Sequence, residues 1–405
     1  MTRFTLISLV SAVSVFAIAG CAKPAAEKTV PPEADVSETA SVEGDVTREL
    51  PANAFEIKGS DGVVLIAEPL GQFEEPWAMT FLPDGNLLVN EKEGRIKLVT
   101  ADGDVLGQIA GVPESEVAGQ GGFADLALHP DFENNKKVYI SYIEAEGDLY
   151  GSVVESGTLN LTSSGGELTD IERIWTQSPK IDTGRHFSQR LLFDKDGYLF
   201  ITSGDRGGQT PAQDMNGNLG KLIRLNDDGS LPDDNPFAGQ GGIKEQFWSI
   251  GHRNPLGIAM DADGQIWENE MGPRGGDELN RIVKGENYGW PVVSDGRNYS
   301  MLDIPDHDTR DDFKTPAISW VPSISPGSLI IYTGDVFADW KGNALMGGLS
   351  GQAIVRVSLD GEKGTEEARY SWDERVREIE QGPDGAIYVL EDGFEGRLLR
   401  ITPKG

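Results

Sequence analysis

The residues best suited to chemistry lie between positions 251 and 290, in the sequence GHRNPLGIAMDADGQIWENEMGPRGGDELNRIVKGENYGW. Arg253 offers a planar guanidinium that can pair with a carboxylate through two hydrogen bonds. The loop at residues 272–278 offers backbone carbonyls and carboxylates, which are the hard oxygen ligands that calcium prefers. These residues alone fit an ion-paired surface loop equally well, so both interpretations stay open.

A second feature is His186, one of four histidines, in the sequence TGRHFSQRLLFDKDG. A base that titrates near neutrality suits alcohol oxidation, because the hydroxyl proton must leave as hydride departs. Upstream, Gln120 in GQGGFADLALHPDF could offer its amide to a ligand hydroxyl. A hydrogen-bonding loop histidine and a plain connecting turn are the structural alternatives for these two residues.

Two arginines, Arg375 and Arg377, are two positions apart on an expected strand in ERVREIEQGPDG. Alternate residues of a strand share a face, so the two guanidiniums should lie side by side. They repel each other unless an anion lies between them. The alternatives are a carboxylate-bearing ligand and surface pairing with Glu374 and Glu378.

The elements that position these residues recur along the chain. An Asp-Gly turn feeding a short alternating strand, the pattern of a β-hairpin, occurs in FLPDGNLLVNEKEGRIKLV, LLFDKDGYLFITSGD, IAMDADGQIWENEMG and EIEQGPDGAIYVLEDGFEGRLLRI. Degenerate copies occur in ALHPDFENNKKVYISYI and at residues 328–359. About six units at spacings of roughly 45–65 residues are typical of propeller blades. The sequence therefore predicts an all-β, six-bladed β-propeller, in which residues 54–65 pair with the C-terminal strands to close the ring.

The N-terminal residues predict secretion and a lipid anchor. Residues 1–21 read as a lipoprotein signal peptide, with Arg3, an apolar run at residues 6–18 and the lipobox IAGC ending at Cys21. Residues 22–52 have the composition of a disordered linker, and residues 53–405 form the expected propeller domain. We therefore expect a periplasmic protein that meets the membrane only through its lipid anchor, at the outer membrane if the host is Gram-negative. An ordinary signal peptide is the alternative.

Composition limits the partners and cofactors. The net charge is −31, of which residues 1–52 contribute −3 (four Lys/Arg against seven Asp/Glu), which leaves −28 on the folded part. Such an acidic surface repels nucleic acid and anionic lipid. Because Cys21 is the single cysteine, the folded part has no disulfide and no C-x-x-C-H haem attachment. Electrons taken from a substrate would leave to an external acceptor, and the sequence leaves monomer and homodimer open.

Three linked blocks, GHRNP, E-x-GPRGGDELN and NYGWP, occur in this order. With them the chain resembles the glucose/sorbosone dehydrogenase family over roughly residues 55–405. The resemblance implies a six-bladed propeller that uses pyrroloquinoline quinone (PQQ) and calcium. It also implies that His186 is the catalytic base, that Gln120 contacts the sugar, and that Arg253 neutralises charge on the reduced quinone.

The resemblance assigns ligand roles as well. It implies that the carbonyls of Gly272 and Pro273 reach the calcium that binds PQQ, and that Glu278 and Tyr288 belong to a second calcium site. The implied cofactor-binding residues are Arg253, Asn254, Arg297, Asn298, Tyr299, Ser350, Arg375 and Arg377. The positions that depart from the family pattern are Arg185, in place of a smaller polar or acidic residue, Leu256, in place of a glutamine, and Ser350, in place of a lysine.

The function that follows from the resemblance is oxidation of an aldose at its anomeric hydroxyl to the lactone, with hydride passing to PQQ and electrons to an external acceptor. Fold alone does not license this, since propellers host many functions. Two alternatives stay open. One is a calcium-dependent lactonase-type hydrolase, and the other is a non-catalytic sugar-binding propeller.

Overall fold

The structure, a computed structural model, describes residues 51–405. The predicted signal peptide, its Cys21 and residues 22–50 of the predicted linker lie outside the described residues and stay predictions. Residues 51–405 belong to one compact unit. Within residues 51–405, no helix is long and apolar enough to cross a membrane.

Short strands make up most of the regular structure of the described residues. In chain order they are β1 (Phe55–Lys58), β2 (Val64–Phe73), β3 (Pro76–Phe81), β4 (Leu87–Glu91), β5 (Arg95–Val99), β6 (Val105–Ala110), β7 (Leu126–Leu128), β8 (Lys137–Glu146), β9 (Leu149–Thr162), β10 (Gly165–Thr176), β11 (Ser188–Phe193), β12 (Leu199–Ser203), β13 (Lys221–Leu225), β14 (Phe247–Ile250), β15 (Pro255–Met260), β16 (Ile266–Glu270), β17 (Asp277–Arg281), β18 (Ile318–Trp320), β19 (Pro326–Ile331), β20 (Ala344–Gly348), β21 (Ala353–Asp360), β22 (Lys363–Ser371), β23 (Val376–Gln381), β24 (Ile387–Glu391) and β25 (Gly396–Pro403). The short helix α1 spans Phe132–Asn135, and 3-10 turns span Thr210–Gln213, Ile243–Gln246, His307–Thr309 and Ala338–Trp340.

The Asp-Gly turns lie where the sequence predicts hairpins. They connect β3 to β4, β11 to β12, β15 to β16 and β23 to β24. Their glycines, Gly85, Gly197, Gly264 and Gly385, have φ between +78° and +87°, a conformation that side chains other than glycine rarely adopt. The degenerate copies also form such pairs, β7 with β8 and β19 with β20.

The strands form six antiparallel groups of neighbours. Three are separate four-stranded sheets, β11–β14, β15–β18 and β19–β22, and β3–β6 is joined to β7–β10 by a parallel pairing of β6 with β10. The last group pairs β23, β24 and β25 with β2, and β1 is added outside β2. The predicted pairing of the N-terminal residues with the C-terminal strands is therefore present, but its partner is β2 rather than residues 54–63. Those earlier residues include β1, which pairs only with β2 in this sheet.

The first strand of each group contacts the first strand of the next. Contacts join β3 to β7, β7 to β11, β11 to β15, β15 to β19, β19 to β23, and β23 back to β3. Apolar side chains fill the space between adjacent groups. Trp267 and Leu279 pack with Met346 of the following group, and Tyr388 of the last group packs with Leu87 of the first. Burial of both faces thus holds each group between its two neighbours.

Candidate active site

A cavity of about 360 Å³ lies at one end of the first strands. Most residues around it lie just before or at the start of a first strand, or directly after a second strand, and antiparallel pairing brings these chain positions to the same end of each group. Its lining residues are Glu75, Pro76, Trp77, Lys92, Gly119, Gln120, Phe187, Ser188, Gln189, Asn254, Leu256, Met271, Ser325, Leu349, Arg375, Arg377 and Asp392. The fold therefore gathers polar side chains from widely separated parts of the sequence.

His186 lies beside this cavity, immediately before β11. Its Nδ1 is 2.6 Å from Oδ1 of Asp205, which follows β12. His186, Ser188 and Gln189 all have positive φ, at 48°, 64° and 82°. Such strained conformations are concentrated at functional sites. A close approach of the two loops requires Gly204, because a Cβ there would lie 2.2 Å from the His186 carbonyl oxygen.

The carboxylate of Asp205 is fixed by donors on both oxygens. Oδ1 also accepts the backbone N–H of Gly207 at 2.7 Å, and Oδ2 accepts the indole N–H of Trp290 at 2.7 Å and the backbone N–H of Gln209 at 3.1 Å. Burial raises the pKa of Asp205, but the hydrogen bonds from His186 and Trp290 and nearby positive charge outweigh burial and lower that pKa below its ordinary value. Asp205 is therefore an anion that can hold a proton on Nδ1 of His186.

The imidazole of His186 is kept neutral. Burial is the largest influence and lowers its pKa, and the charges of Arg253 and Arg185 lower it further, against the opposing effect of Asp205. A neutral ring that donates its Nδ1–H to Asp205 carries its lone pair on Nε2. That nitrogen is then able to accept a proton at neutral pH.

Arg253 lies close to the same pair. Its guanidinium carbon is 5.3 Å from the centre of the Trp290 ring, and its Nη1 donates to the carbonyl of Met271 at 2.6 Å. The backbone carbonyl of Arg253 accepts the N–H of Asp205 at 2.8 Å. Arg253 is 5 % exposed, and its Nε makes no hydrogen bond within the described residues. Arg253 thus brings a buried positive charge, with a buried Nε–H that has no partner there, next to His186.

Gln120 and Asn254 both line the cavity. The side-chain oxygen of Gln120 accepts the backbone N–H of His186 at 2.8 Å, so the predicted sugar-contacting residue lies next to the predicted base. Asn254 accepts a hydrogen bond from the hydroxyl of Ser188 at 3.3 Å. Both polar side chains are therefore positioned by the loop that carries His186.

The two arginines also line the cavity, and an anion does lie between them. Asp392 accepts from Nε of Arg375 at 2.7 Å through one oxygen, and from Nε and Nη2 of Arg377 at 2.8 and 2.7 Å through the other. Of the acids considered from the sequence, Glu378 instead lies 2.5 Å from Arg190. Arg377 is also stacked 4.1 Å from the centre of the Trp77 ring. The two arginines and Asp392 together leave one positive charge at the cavity wall.

The predicted metal ligands lie in two places. Gly272, Glu278 and Tyr288 line a tight space of about 10 Å³ beside Arg253, which is room for about one small ion or water. The phenol of Tyr288 donates to the carbonyl of Arg281 at 2.6 Å and accepts the backbone N–H of Val283 at 2.9 Å, so its oxygen already has two partners. Pro273 lies in a separate open groove.

That groove contains most of the remaining predicted cofactor residues. Arg297, Tyr299 and Ser350 line it together with Pro273, and Tyr299 is 73 % exposed. Asn298 accepts a hydrogen bond from Gln209 at 3.0 Å. Ser325 lines both the groove and the cavity, and its hydroxyl is 2.8 Å from that of Ser350. The groove residues therefore border the cavity through Ser325 instead of lining it.

Three functional residues were missed by sequence reasoning. Asp205, Trp290 and Asp392 each complete an arrangement around a residue that the sequence does single out. Asp205 ends the sequence ITSGD and Trp290 ends the sequence NYGW. Both residues therefore belong to recognisable motifs, but neither motif by itself indicates their roles. The signal available for each was a polar or aromatic residue directly after a strand or a glycine.

Comparison with known proteins is consistent across sequence and structure. Residues 73–400 match the family model described as Glucose / Sorbosone dehydrogenase. Aldose sugar dehydrogenase YliI of Escherichia coli (strain K12) is 38% identical over 340 residues, which cover 82% of this chain and 91% of that protein.

Two solved structures extend the comparison. The crystal structure of the soluble aldose sugar dehydrogenase from Escherichia coli in the apo-form has a TM-score of 0.80 at 38% identity, and the match covers 84% of this chain and 100% of that one. The PQQ-bound form of an aldose sugar dehydrogenase from Streptomyces coelicolor has a TM-score of 0.68 at 25% identity, with 86% and 99% covered.

Proposed function

The chain belongs to the glucose/sorbosone dehydrogenase family, and we propose that it oxidises the anomeric hydroxyl of an aldose to the lactone with PQQ and calcium. When bound, PQQ supplies the two-electron acceptor for the hydride, and calcium supplies a Lewis acid. The observation that carries the proposal is the His186–Asp205 pair beside a cavity whose charged lining is net positive.

The cavity fits a planar, tricarboxylated quinone. Its volume of about 360 Å³ falls in the range of roughly 300–1,000 Å³ of small-molecule sites. Lys92, Arg375 and Arg377 line it together with Glu75 and Asp392, which leaves a net positive charge that suits carboxylates. Both amide atoms of the buried Gln189, and the indole nitrogen of Trp77, make no hydrogen bond within the described residues. These groups are available to a polar ligand.

Calcium also fits the residues present. The carbonyls of Gly272 and Pro273, and the carboxylate of Glu278, are hard oxygen donors of the kind calcium takes. A Cβ at Gly272 would lie 2.2 Å from the carbonyl oxygen of Gly276, so only glycine permits this compact turn. We propose that the first two carbonyls hold the calcium associated with PQQ, and that Glu278 and the Tyr288 carbonyl hold a second.

In the proposed mechanism, Nε2 of His186 accepts the proton of the anomeric hydroxyl. Asp205 keeps the other ring proton on Nδ1 and orients the ring, and it stabilises the imidazolium that forms. The lowered pKa of His186 keeps the ring in its accepting form at neutral pH. Proton removal and hydride departure from the anomeric carbon together leave the carbonyl of the lactone.

Other side chains bind the substrate and balance charge. Gln120, held by the backbone of His186, offers its amide N–H₂ to sugar hydroxyls. Arg253 provides positive charge and an unused Nε–H where negative charge develops on the cofactor, in the manner of an oxyanion hole. The burial of both Arg253 and His186 strengthens these interactions.

We also propose the finer features of the architecture and location. The closed cycle of contacts between first strands supports a propeller with six blades, one for each antiparallel group. The IAGC lipobox supports a lipid anchor on Cys21 and a periplasmic location, with electrons passing to an external acceptor. Cys21→Ser should abolish incorporation of labelled fatty acid, and wild-type protein that takes up no label would refute the anchor.

The function is tested by reconstitution. Protein freed of metal and cofactor should reduce a redox dye with at least one aldose only when PQQ and calcium are both supplied. Cleavage of a lactone without PQQ would instead show the hydrolase, and sugar binding without turnover would show a non-catalytic propeller. Either outcome would overturn the proposal.

A further inference from the structure

A second cluster of ionisable side chains lies behind the loop that carries Arg253. Glu268 and Glu270 are two residues apart on β16 and so point to one face of the sheet. On β17, Asn280 is paired with Glu268 and Glu278 with Glu270, so both lie on that same face. His252 approaches the cluster from the loop before β15. None of these five side chains belongs to a residue more than 6 % exposed.

The atoms of three members are spaced like the ligands of one ion. Nδ1 of His252 lies 3.4 Å from Oε1 of Glu270 and 3.7 Å from Oε2 of Glu268. One donor atom from each of the three residues lies within 4.8 Å of the others. Donors about 2.1 Å from a tetrahedral ion are about 3.4 Å apart. Nδ1 of His252 makes no hydrogen bond to either carboxylate, and the spacing suits coordination of a shared ion.

Several buried polar atoms of the cluster have no hydrogen-bond partner in the described part of the chain. Nδ1 of His252, Oε1 of Glu268 and Oδ1 of Asn280 make no hydrogen bond within the described residues. Buried polar atoms are normally hydrogen-bonded, so each of these needs a cause. Nε2 of His252 is 2.8 Å from the hydroxyl of Ser249. In a metal-binding histidine, one ring nitrogen usually binds the metal and the other is hydrogen-bonded. The contact with Ser249 occupies Nε2, so Nδ1 is the nitrogen left for the metal.

The charge of the cluster also lacks a counterpart. The amide of Asn280 donates toward Glu268, Glu270 and Glu278 at 3.2, 3.4 and 3.2 Å. One neutral amide cannot balance three buried carboxylates, and like charges on paired strand positions destabilise a sheet. Of the three carboxylates, the one that His307 contacts is Glu278, with Nε2 of His307 3.1 Å from Oε1 of Glu278. Glu268 and Glu270 are therefore the carboxylates that most need a cation.

We propose that His252, Glu268 and Glu270 bind one divalent transition-metal ion, such as Mn²⁺ or Zn²⁺. Imidazole combined with carboxylate suits these ions, whereas calcium takes oxygen ligands. None of these three residues is among the proposed calcium ligands Gly272, Pro273, Glu278 and Tyr288, and Glu270 also lines the tight space beside Tyr288.

The position of this ion gives it a structural role. Oε2 of Glu270 accepts the backbone N–H groups of Arg253 at 2.5 Å and Asn254 at 3.2 Å. An ion on Oε1 of Glu270 and on His252 would tie the whole 252–254 loop to β16. The ion would thus hold Arg253 and Asn254 at the cavity, and this role goes beyond sugar oxidation itself.

The test measures metal directly in the purified protein. After chelator treatment, incubation with Mn²⁺ or Zn²⁺ in excess calcium, and gel filtration, one transition-metal ion per chain should remain, and the melting temperature should rise because the ion binds the native state. Glu268→Gln keeps the size of the side chain and removes a charged metal ligand. We expect metal affinity to fall at least about tenfold, because mutation of a residue that only hydrogen-bonds a ligand already costs that much. Glu380→Gln, which removes a half-buried carboxylate of β23 outside the cluster, should retain the ion.

A second measurement uses wild-type protein, so it stays informative even if the Glu268→Gln variant does not fold. Wild-type protein loaded with Co²⁺ should show the visible absorption bands of a protein-bound ion, and Zn²⁺ should abolish them. Equal retention by Glu268→Gln and wild type, or loss of all transition metal to excess calcium, would overturn the proposal and leave shared protons to explain the cluster. Since neither measurement uses a sugar or PQQ, the outcome is independent of the proposed enzyme activity.

Discussion

His186 and Asp205 form a hydrogen-bonded pair in which Nδ1 of the imidazole lies 2.6 Å from Oδ1 of the carboxylate. Asp205 is in turn fixed by Trp290, and its backbone N–H is donated to the carbonyl of Arg253. The tautomer and the ring orientation of His186 are therefore set by a residue from another loop. This relationship decides what the histidine can do, because only its Nε2 is left to accept a proton.

Asp205→Asn should damage catalysis without removing the cofactor site. An amide can donate to Nδ1, which would place the ring proton on Nε2 and block its use as a base. We expect the turnover number to fall by about 10²–10⁴, the usual worth of positioned proton transfer, while PQQ affinity changes little. Steady-state kinetics and a PQQ titration check this, with Asp233→Asn on an exposed loop as the matched control. A variant with wild-type turnover would show that Asp205 does not orient the base.

The pH dependence should reflect the lowered pKa of His186. Burial, Arg253 and Arg185 disfavour the imidazolium. A base must be neutral to accept a proton, so activity is lost only as pH falls through this lowered pKa. The acid limb of kcat/KM should therefore lie below pH ~6.5, the ordinary value for histidine. Arg185→Gln removes one of the charges and should move the limb upward. A limb above the ordinary value in wild type, or a downward shift in the variant, would contradict this assignment.

The pair Arg375 and Arg377 can be tested against Asp392. Replacing both arginines by Gln should weaken PQQ binding strongly, because each lost charge-assisted hydrogen bond costs about 1.5–3 kcal/mol. Asp392→Asn distinguishes arginines that bind the cofactor from arginines that only pair with Asp392, because it removes the carboxylate they now contact. If they bind cofactor carboxylates, this variant should bind PQQ at least as tightly as wild type. Unchanged affinity in the double Gln variant would assign the arginines to Asp392 alone.

Removal of calcium should lower both activity and stability. A calcium-selective chelator should reduce dye reduction and the melting temperature, and calcium should restore both because it binds only the native state. Glu278→Gln should raise the calcium concentration needed for recovery, since Glu278 lines the tight space beside Tyr288. Differential scanning calorimetry in a calcium titration measures this. Protein that contains no calcium and is indifferent to the chelator would refute the calcium sites.

The repeating turns and the residues on them were predictable because the signals are local. Asp-Gly pairs locate the turn between the first and second strands in four of the six groups. His186, Arg253 and Gln120 lie in recognisable sequence motifs. Arg185 is adjacent to His186 in the sequence, and its positive charge is one of the causes that lower the pKa of His186. The largest cause is burial, however, which depends on the neighbouring loops and cannot be taken from adjacent residues.

Pairings between distant residues were not predictable. Asp392 rather than Glu374 or Glu378 lies between the arginines, because a register shift between Val376 and Glu378 sets how β23 meets the end of β24. The strand around Ile266 is polar at Glu268, Asn269 and Glu270, and polar strand residues usually face solvent. In the structure every residue of β16 is buried. Packing of adjacent groups covers its polar face, and so creates the buried His252–Glu268–Glu270 cluster that composition alone did not indicate.

The central claim is that His186 is the base of a PQQ-dependent sugar oxidation, and single-turnover kinetics of His186→Gln test it most directly. Protein loaded with PQQ and calcium is mixed with an aldose, and reduction of the bound quinone is followed by absorbance. The variant should fold and bind PQQ like wild type, but its quinone should be reduced about 10²–10⁴ times more slowly, with no acid limb in the pH profile. Reduction at a rate near that of wild type would contradict the mechanism, even if the protein proves to be a quinoprotein.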